Sequence, residues 1–183
     1  GERLKGHRIH LREVNAGIHC FDKTFLLSAL DGIGRENVQG EYYLPDTIAL
    51  ARKKKRGVAA LLCSDPDEVM GVNTRHDLSR AEGIMQGRIN RRWMLEGVTM
   101  LDPGAVFVGS DVSLGRDTVL YPNVRLEGKT SLGESCTIYP GSRIADSAIG
   151  SGVTVKDCSV LEESSVANGA TVGPFAHLRP GSV

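Results

Sequence analysis

Neither sign of charge dominates this sequence. Its 22 Lys and Arg are matched by 22 Asp and Glu, so the basic excess that ordinarily carries nucleic-acid or acidic-membrane binding is missing. A local site for an anionic ligand stays open. Close-spaced cysteines are missing too: Cys20, Cys63, Cys136 and Cys158 lie too far apart for a CxxC metal or redox motif. They read as free thiols of a reducing, cytoplasmic compartment, three of them in apolar or hexapeptide contexts where a buried thiol acts as a small hydrophobe. There is no apolar run long enough to span a bilayer and no signal-peptide pattern. The chain opens on Gly1 and closes on Gly181-Ser182-Val183 in mid-pattern, and both ends read as cut from something longer.

What is there falls into two regions of different period. Residues 7 to 104 read as mixed α and β. Ile9, Leu11 and Val14 suggest a strand running into Asn15-Ala16-Gly17, Phe21 to Leu30 a helix, and Thr47 to Lys55 a second helix stopped by Gly57. Its basic end, Arg52 to Arg56, fits cations at a helix C-terminus, with phosphate binding as the alternative. The apolar run Val58 to Cys63 has the look of a central strand. A long helix follows, with Thr74 as its cap and Asp77 completing a capping box. Leu78, Ala81, Met85, Ile89 and Trp93 recur at steps of three or four and share one packing face.

After Asp102-Pro103-Gly104 the period becomes six. Val108, Leu114, Leu120, Leu126, Leu132, Ile138 and Ile144 are followed by Ile149, Val155, Val160, Val166, Val172 and Leu178, with two steps of five. Small or β-branched residues, such as Val112, Thr118, Val124, Thr130, Cys136 and Ser142, stand two places before most of them. A helix period or simple alternation gives no such pattern. It predicts a triangular parallel β-solenoid: three hexapeptides to a coil, one aliphatic per side pointing inward, charges on the outside.

Four motifs in this order resemble the bacterial bifunctional N-acetylglucosamine-1-phosphate uridyltransferase and glucosamine-1-phosphate acetyltransferase family. They are Glu13-Val14-Asn15-Ala16-Gly17, Gln39 to Asp46 (QGEYYLPD), Glu68 to Asn73 (EVMGVN) and Val172 to Gly181 (VGPFAHLRPG), followed or embraced by the hexapeptide array. The resemblance implies a remnant of a Rossmann-like nucleotidyltransferase domain over 1–73, a linker helix and connection over 74–104, and a left-handed parallel β-helix over 105–183. It implies a homotrimer formed through that β-helix, Mg²⁺, and UTP and acetyl-CoA as cosubstrates. The ligands would be sugar phosphates and a UDP-sugar, with UDP-N-acetylglucosamine as the end product, needed for the cell envelope.

Carried over residue by residue, the resemblance assigns Asn15 to contact with the N-acetylglucosamine moiety. Asn73 would bind sugar nucleotide and metal, and Arg179 the sugar phosphate. From the residues alone, Asn15 fits a turn, Asn73 a helix cap and Arg179 a solvated corner. An arginine fork suits phosphate, and an amide oxygen can complete a Mg²⁺ shell. No catalytic residue is assigned. The family's nucleotide loop, the aspartate that partners Asn73, and the acetyl-site histidine are not found, and His177 does not stand in that histidine's place. The isolated chain is therefore expected to be inactive. A non-catalytic trimerisation module and a sugar-nucleotide pyrophosphorylase of other specificity are the alternatives.

Overall fold

The computed structural model describes residues 14–183, so Ile9, Leu11 and Glu13 lie outside the described part. The chain divides into two units, one reaching to Gly71 and the other Val72–Val183.

Among its described residues the first unit contains two helices and no strand. Helix α1 (Lys23–Leu30) starts where the Asp22 carboxylate accepts from the Phe25 N–H. Helix α2 (Asp46–Lys53) ends two residues before the expected Lys55, because Lys55 turns into the left-handed region with φ 54°. The helices bury Phe25, Ala29 and Ala51 against each other, with Phe21 and Leu50 at the margin. Val14 is exposed and outside any strand.

The expected central strand at Val58–Cys63 does not form: Leu61 is 98% exposed and Leu62 76%. A parallel strand exists only by hydrogen bonding to neighbours, and no described segment of this unit supplies one. Beyond it, Asp65 caps a 3-10 turn over Pro66–Val69 by accepting from the Asp67 N–H.

The second unit opens with helix α3 (Arg75–Leu95). Its capping box is formed both ways: Thr74 Oγ1 accepts from the Asp77 N–H at 3.1 Å, and Asp77 Oδ2 accepts from the Thr74 N–H at 2.9 Å. Only the far end of the expected apolar face is used. Trp93 and Ile89 join the core of the solenoid, whereas Leu78 and Met85 are exposed. The reason is reach, since α3 touches the solenoid only at its first coil.

Fourteen strands follow in order. They are β1 (Thr99–Met100), β2 (Phe107–Val108), β3 (Ser113–Leu114), β4 (Val119–Leu120) and β5 (Arg125–Glu127). Next come β6 (Ser131–Leu132), β7 (Thr137–Ile138), β8 (Arg143–Ala145), β9 (Ala148–Ile149) and β10 (Thr154–Val155). The last are β11 (Val160–Glu162), β12 (Ser165–Val166), β13 (Thr171–Val172) and β14 (His177–Leu178). Every third strand joins the same sheet, giving β1-β4-β7-β10-β13, β2-β5-β8-β11-β14 and β3-β6-β9-β12, all parallel. This is a solenoid of nearly five coils. Its first rung, Thr99–Met100, lies ahead of Pro103-Gly104 and pairs with Val119–Leu120.

The core is the expected column. Val108, Leu120, Leu126, Ile138, Ile144, Val155 and Leu161 are fully buried. Leu114, on the terminal strand of its sheet, is half-buried because no rung covers one side. One position differs from the sequence reading: Leu161, not Val160, points inward, and Val160 sits beside Arg143 on the outer surface. Coil length explains it. Val108, Leu126 and Ile144 stack at steps of 18 residues, but Ile144, Leu161 and Leu178 stack at steps of 17. The side shortened to five residues at Ile144–Ile149 is shortened again directly above it, at Leu161–Val166.

Buried Ser147 and Ser159 complete the small-residue column. Its hydroxyls bridge coils: Thr118 Oγ1 donates to the Gly133 carbonyl and accepts from the Cys136 N–H. Of the cysteines, all free, only Cys136 is buried; Cys158 turns outward at a corner with φ 54°. Each corner carries a column of left-handed residues. One runs Asp117, Ser135, Gly152, Gly169, each donating its N–H to a carbonyl one coil below.

The open end of the prism exposes unpaired carbonyls, and buried Asn90 of α3 satisfies two of them. Its Nδ2 donates to Pro103 O at 2.8 Å and Val106 O at 2.9 Å, while Oδ1 accepts from Gln86 Nε2. Asn90→Ala is expected to lower stability by about 1–3 kcal/mol, the cost of stranding buried polar groups, measurable by urea unfolding. A Cβ at Gly115 would come within 2.3–2.4 Å of backbone atoms of Gly133 and Glu134 in the next coil. Gly115→Ala is thus expected to cost about 1–3 kcal/mol, whereas outward Ser131→Ala should stay within about 0.5 kcal/mol.

Candidate functional site

The three residues singled out from the sequence fall in both units. Asn15 lies in the first unit, exposed, with Oδ1 accepting from the Gly17 N–H at 2.9 Å in a local turn. Asn73 and Arg179 lie apart in the second unit, one just before the N-terminus of α3, whose far end packs on the first coil, and the other after β14 in the last coil.

Asn73 is exposed and its backbone N–H donates to Asp77 Oδ2 at 3.2 Å, while Thr74 takes the capping role. Asp77 thus receives the Thr74 hydroxyl and the N–H groups of Asn73 and Thr74, which hold its carboxyl below the ordinary range. Among the described residues no group of three or more His, Cys, Asp or Glu side chains could hold a metal ion. One neutral amide oxygen does not make a Mg²⁺ site, which needs carboxylate or phosphate oxygens as well. The residues described here do not fit that ion by themselves.

Arg179 is exposed, and its carbonyl accepts from both the N–H and the hydroxyl of Ser182, which turns the chain after the last rung. Beneath it on the outer surface of the β2-β5-β8-β11-β14 sheet runs a ladder of charges. Arg125 stacks its guanidinium on Phe107 at 4.6 Å and pairs with Glu127 at 3.0 Å. Arg143 bridges Glu127 Oε2 and Glu162 Oε1, both at 2.7 Å. His177 Nε2 reaches Glu162 Oε2 at 3.3 Å.

These contacts set the protonation of the carboxylates. Burial tends to raise Glu127, but hydrogen bonds from Arg125 and Arg143 outweigh it and hold the carboxyl below the ordinary range. Arg143, followed by His177, lowers Glu162. Hydrogen bonds from Glu162 and Glu127 raise Arg143 further above its usual value.

The sequence reading missed this ladder, although its signal was present. Once coils of 18 and then 17 residues are known, Arg125, Arg143, Val160 and His177 fall in one outward column and Glu127, Ala145 and Glu162 in the next.

No family model matches the chain. Curated relatives do, along nearly all of it. The chain is 48% identical over 172 residues to the bifunctional protein GlmU of Shouchella clausii, covering 94% of this chain and 38% of that protein. This chain is a relative of the bifunctional GlmU proteins. Identity to GlmU of Heliobacterium modesticaldum is 45% over 172 residues, covering 94% and 37% of the two chains. For GlmU of Clostridium novyi it is 47% over 174 residues, covering 95% and 38%. The chain thus spans 37–38% of the length of these GlmU relatives. Among the described residues, no helix is long and apolar enough to cross a membrane.

The lowered carboxylates fix a direction for pH. A group held below its unfolded pKa stabilises the fold above that value and loses the contribution as pH falls through its folded value. For Asp77, Glu127 and Glu162 the loss therefore comes on acidification, below about pH 4. Thermal midpoints followed by circular dichroism are expected to fall in that window, and by less in a Glu127→Gln, Glu162→Gln variant.

Proposed function

We propose that this chain is the junction segment of a bifunctional enzyme that makes UDP-N-acetylglucosamine. It would carry the rear of a Rossmann-like uridyltransferase domain and the first coils of a left-handed acetyltransferase β-helix. The observation that carries this reading is one continuous match of 43–48% identity to GlmU proteins across helical unit, α3 and solenoid together. The VGPFAHLRPG segment favours the acetyltransferase-linked family over a solenoid-bearing pyrophosphorylase of other specificity.

In the first reaction an oxygen of N-acetylglucosamine 1-phosphate attacks the α-phosphorus of UTP, and pyrophosphate leaves. In the second the amine of glucosamine 1-phosphate attacks the thioester carbonyl of acetyl-CoA. The nitrogen loses a proton and the CoA thiol departs. Asn15 is assigned to the sugar amide and Asn73 to the sugar-nucleotide side. Arg179 offers two parallel N–H donors to the sugar phosphate, a geometry that a lysine lacks. None of these residues moves a proton or attacks, so the chain supplies binding groups and scaffold. The isolated 183-residue chain is inactive in this reading, and its location is cytoplasmic.

The β-helix is also assigned to homotrimer formation. The third sheet supports this, because its outward residues Ser113, Ser131, Ala148 and Ser165 are small and uncharged, leaving a face that a second copy can approach closely.

The reading is tested by titrating glucosamine 1-phosphate into the purified chain by calorimetry while light scattering gives the number of chains per particle. Binding that drops about tenfold or more in Arg179→Ala, the scale of a lost charge-assisted hydrogen-bond pair, together with three chains per particle, is expected. Equal binding by Arg179→Ala would remove the phosphate role, and uridyltransferase or acetyltransferase turnover by the isolated chain would contradict its assignment as scaffold.

A further inference from the structure

Arg179 stands next to a carboxylate that does not pair with it. Leu161 and Leu178 are partners in adjacent coils, so the register continued by one residue puts Arg179 over Glu162. Parallel strands lie about 4.8 Å apart, and a glutamate can reach an arginine across that gap. His177 lies two residues before Arg179 and faces the same side. Among the described residues, however, Arg179 has no carboxylate partner, whereas Arg143 bonds Glu162 Oε1 and His177 bonds Oε2. The neighbouring Glu163 sits at the corner with φ 43°, its carbonyl accepting from the Gly181 N–H.

We propose that Arg143 and His177 are positioning residues for Arg179: by hydrogen-bonding Oε1 and Oε2 of Glu162 they compete with Arg179 for that carboxylate, and the Arg179 guanidinium stays open to a phosphate monoester. This rests on the reading of Arg179 as the phosphate-binding side chain. The ladder beneath it becomes part of the site's specificity. Glu127 is bonded by Arg125 of its own strand and Arg143 of the coil above, and Glu162 by Arg143 below and His177 above, so an incoming dianion meets Arg179 with less competition from Glu162. Glu127, bonded to Arg125 and Arg143, keeps Arg143 in place in turn.

The test uses the full chain and two readouts. The Arg179 Nε–Hε signal is followed by NMR without ligand, and glucosamine 1-phosphate is then titrated. In Arg143→Ala and in His177→Ala, Glu162 swings to Arg179. The free-state signal shifts, and the dissociation constant rises about two- to fivefold, the scale of one exposed ion pair. The double variant Arg143→Ala, Glu162→Gln restores both, which a merely structural role of Arg143 would not do. The proposal is overturned if the Arg179 signal is unmoved by Arg143→Ala, or if Glu162→Gln fails to rescue it. Unchanged binding in Arg179→Ala would instead overturn the phosphate reading beneath it, and the ligand-free signal keeps the two failures distinguishable.

Discussion

Direct stacking of one coil on the next is the constraint on which everything in the second unit depends. Each rung hydrogen-bonds to the rungs above and below, so a residue's surroundings are set by the residues 17 or 18 places away more than by its chain neighbours. Inside the prism each side has room for one branched aliphatic. Burying a Leu, Ile or Val contributes about 1.5–3 kcal/mol, whereas an exposed ion pair contributes about 0–1 kcal/mol. Aliphatics such as Leu126, Ile144 and Leu161 therefore hold the stack together, and the Arg and Glu ladder outside them adds less. The shortened side at Ile144–Ile149, which lies on the six-residue side Leu126–Leu132, recurs at Leu161–Val166.

That constraint explains why the solenoid was legible in the sequence and where legibility stopped. Six-residue spacing announced the coils, and the column from Val108 to Val155 was read at the right phase. The reading slipped at Val160 because a horizontal rule, the next aliphatic after five or six residues, cannot choose between adjacent Val160 and Leu161. The vertical rule chooses Leu161, since it must lie over Ile144. The first unit was less legible for the opposite reason. Val58 to Cys63 has the composition of a strand, but a strand is a relation between segments, and composition names only one of them. The face of α3 shows the same limit: periodicity found Leu78 to Trp93, and only tertiary reach decides that Ile89 and Trp93 are used.

Polar residues at the solenoid's end were hidden for a related reason. Asn90 interrupts an apolar helix face, which local pattern treats as noise, yet it answers a need created elsewhere: the carbonyls of Pro103 and Val106 have no coil below to donate to them. Gln86 fixes the amide so that both N–H groups point at those carbonyls. A solenoid has ends, and each end must be closed by side chains that the repeat does not specify. Thr74 and Asp77 do the equivalent work at the start of α3, though their spacing is local and was readable.

The same vertical logic governs the candidate site. Asn15, Asn73 and Arg179 were found through resemblance, because each functional role depends on a ligand that no spacing encodes. What surrounds Arg179, by contrast, follows from the coil length alone. The column beneath it runs Gly109, Glu127, Ala145, Glu162, and the neighbouring column Phe107, Arg125, Arg143, Val160, His177. The order of residues up the stack determines which cations compete for each carboxylate. Glu127 is shared by Arg125 and Arg143, and Glu162 by Arg143 and His177. The remaining cation is Arg179, at the last coil and exposed. Among the described residues that guanidinium has no carboxylate partner, and the phosphate role proposed for Arg179 depends on its staying so, since a guanidinium held by a neighbouring carboxylate would have to give up that contact to take an anion.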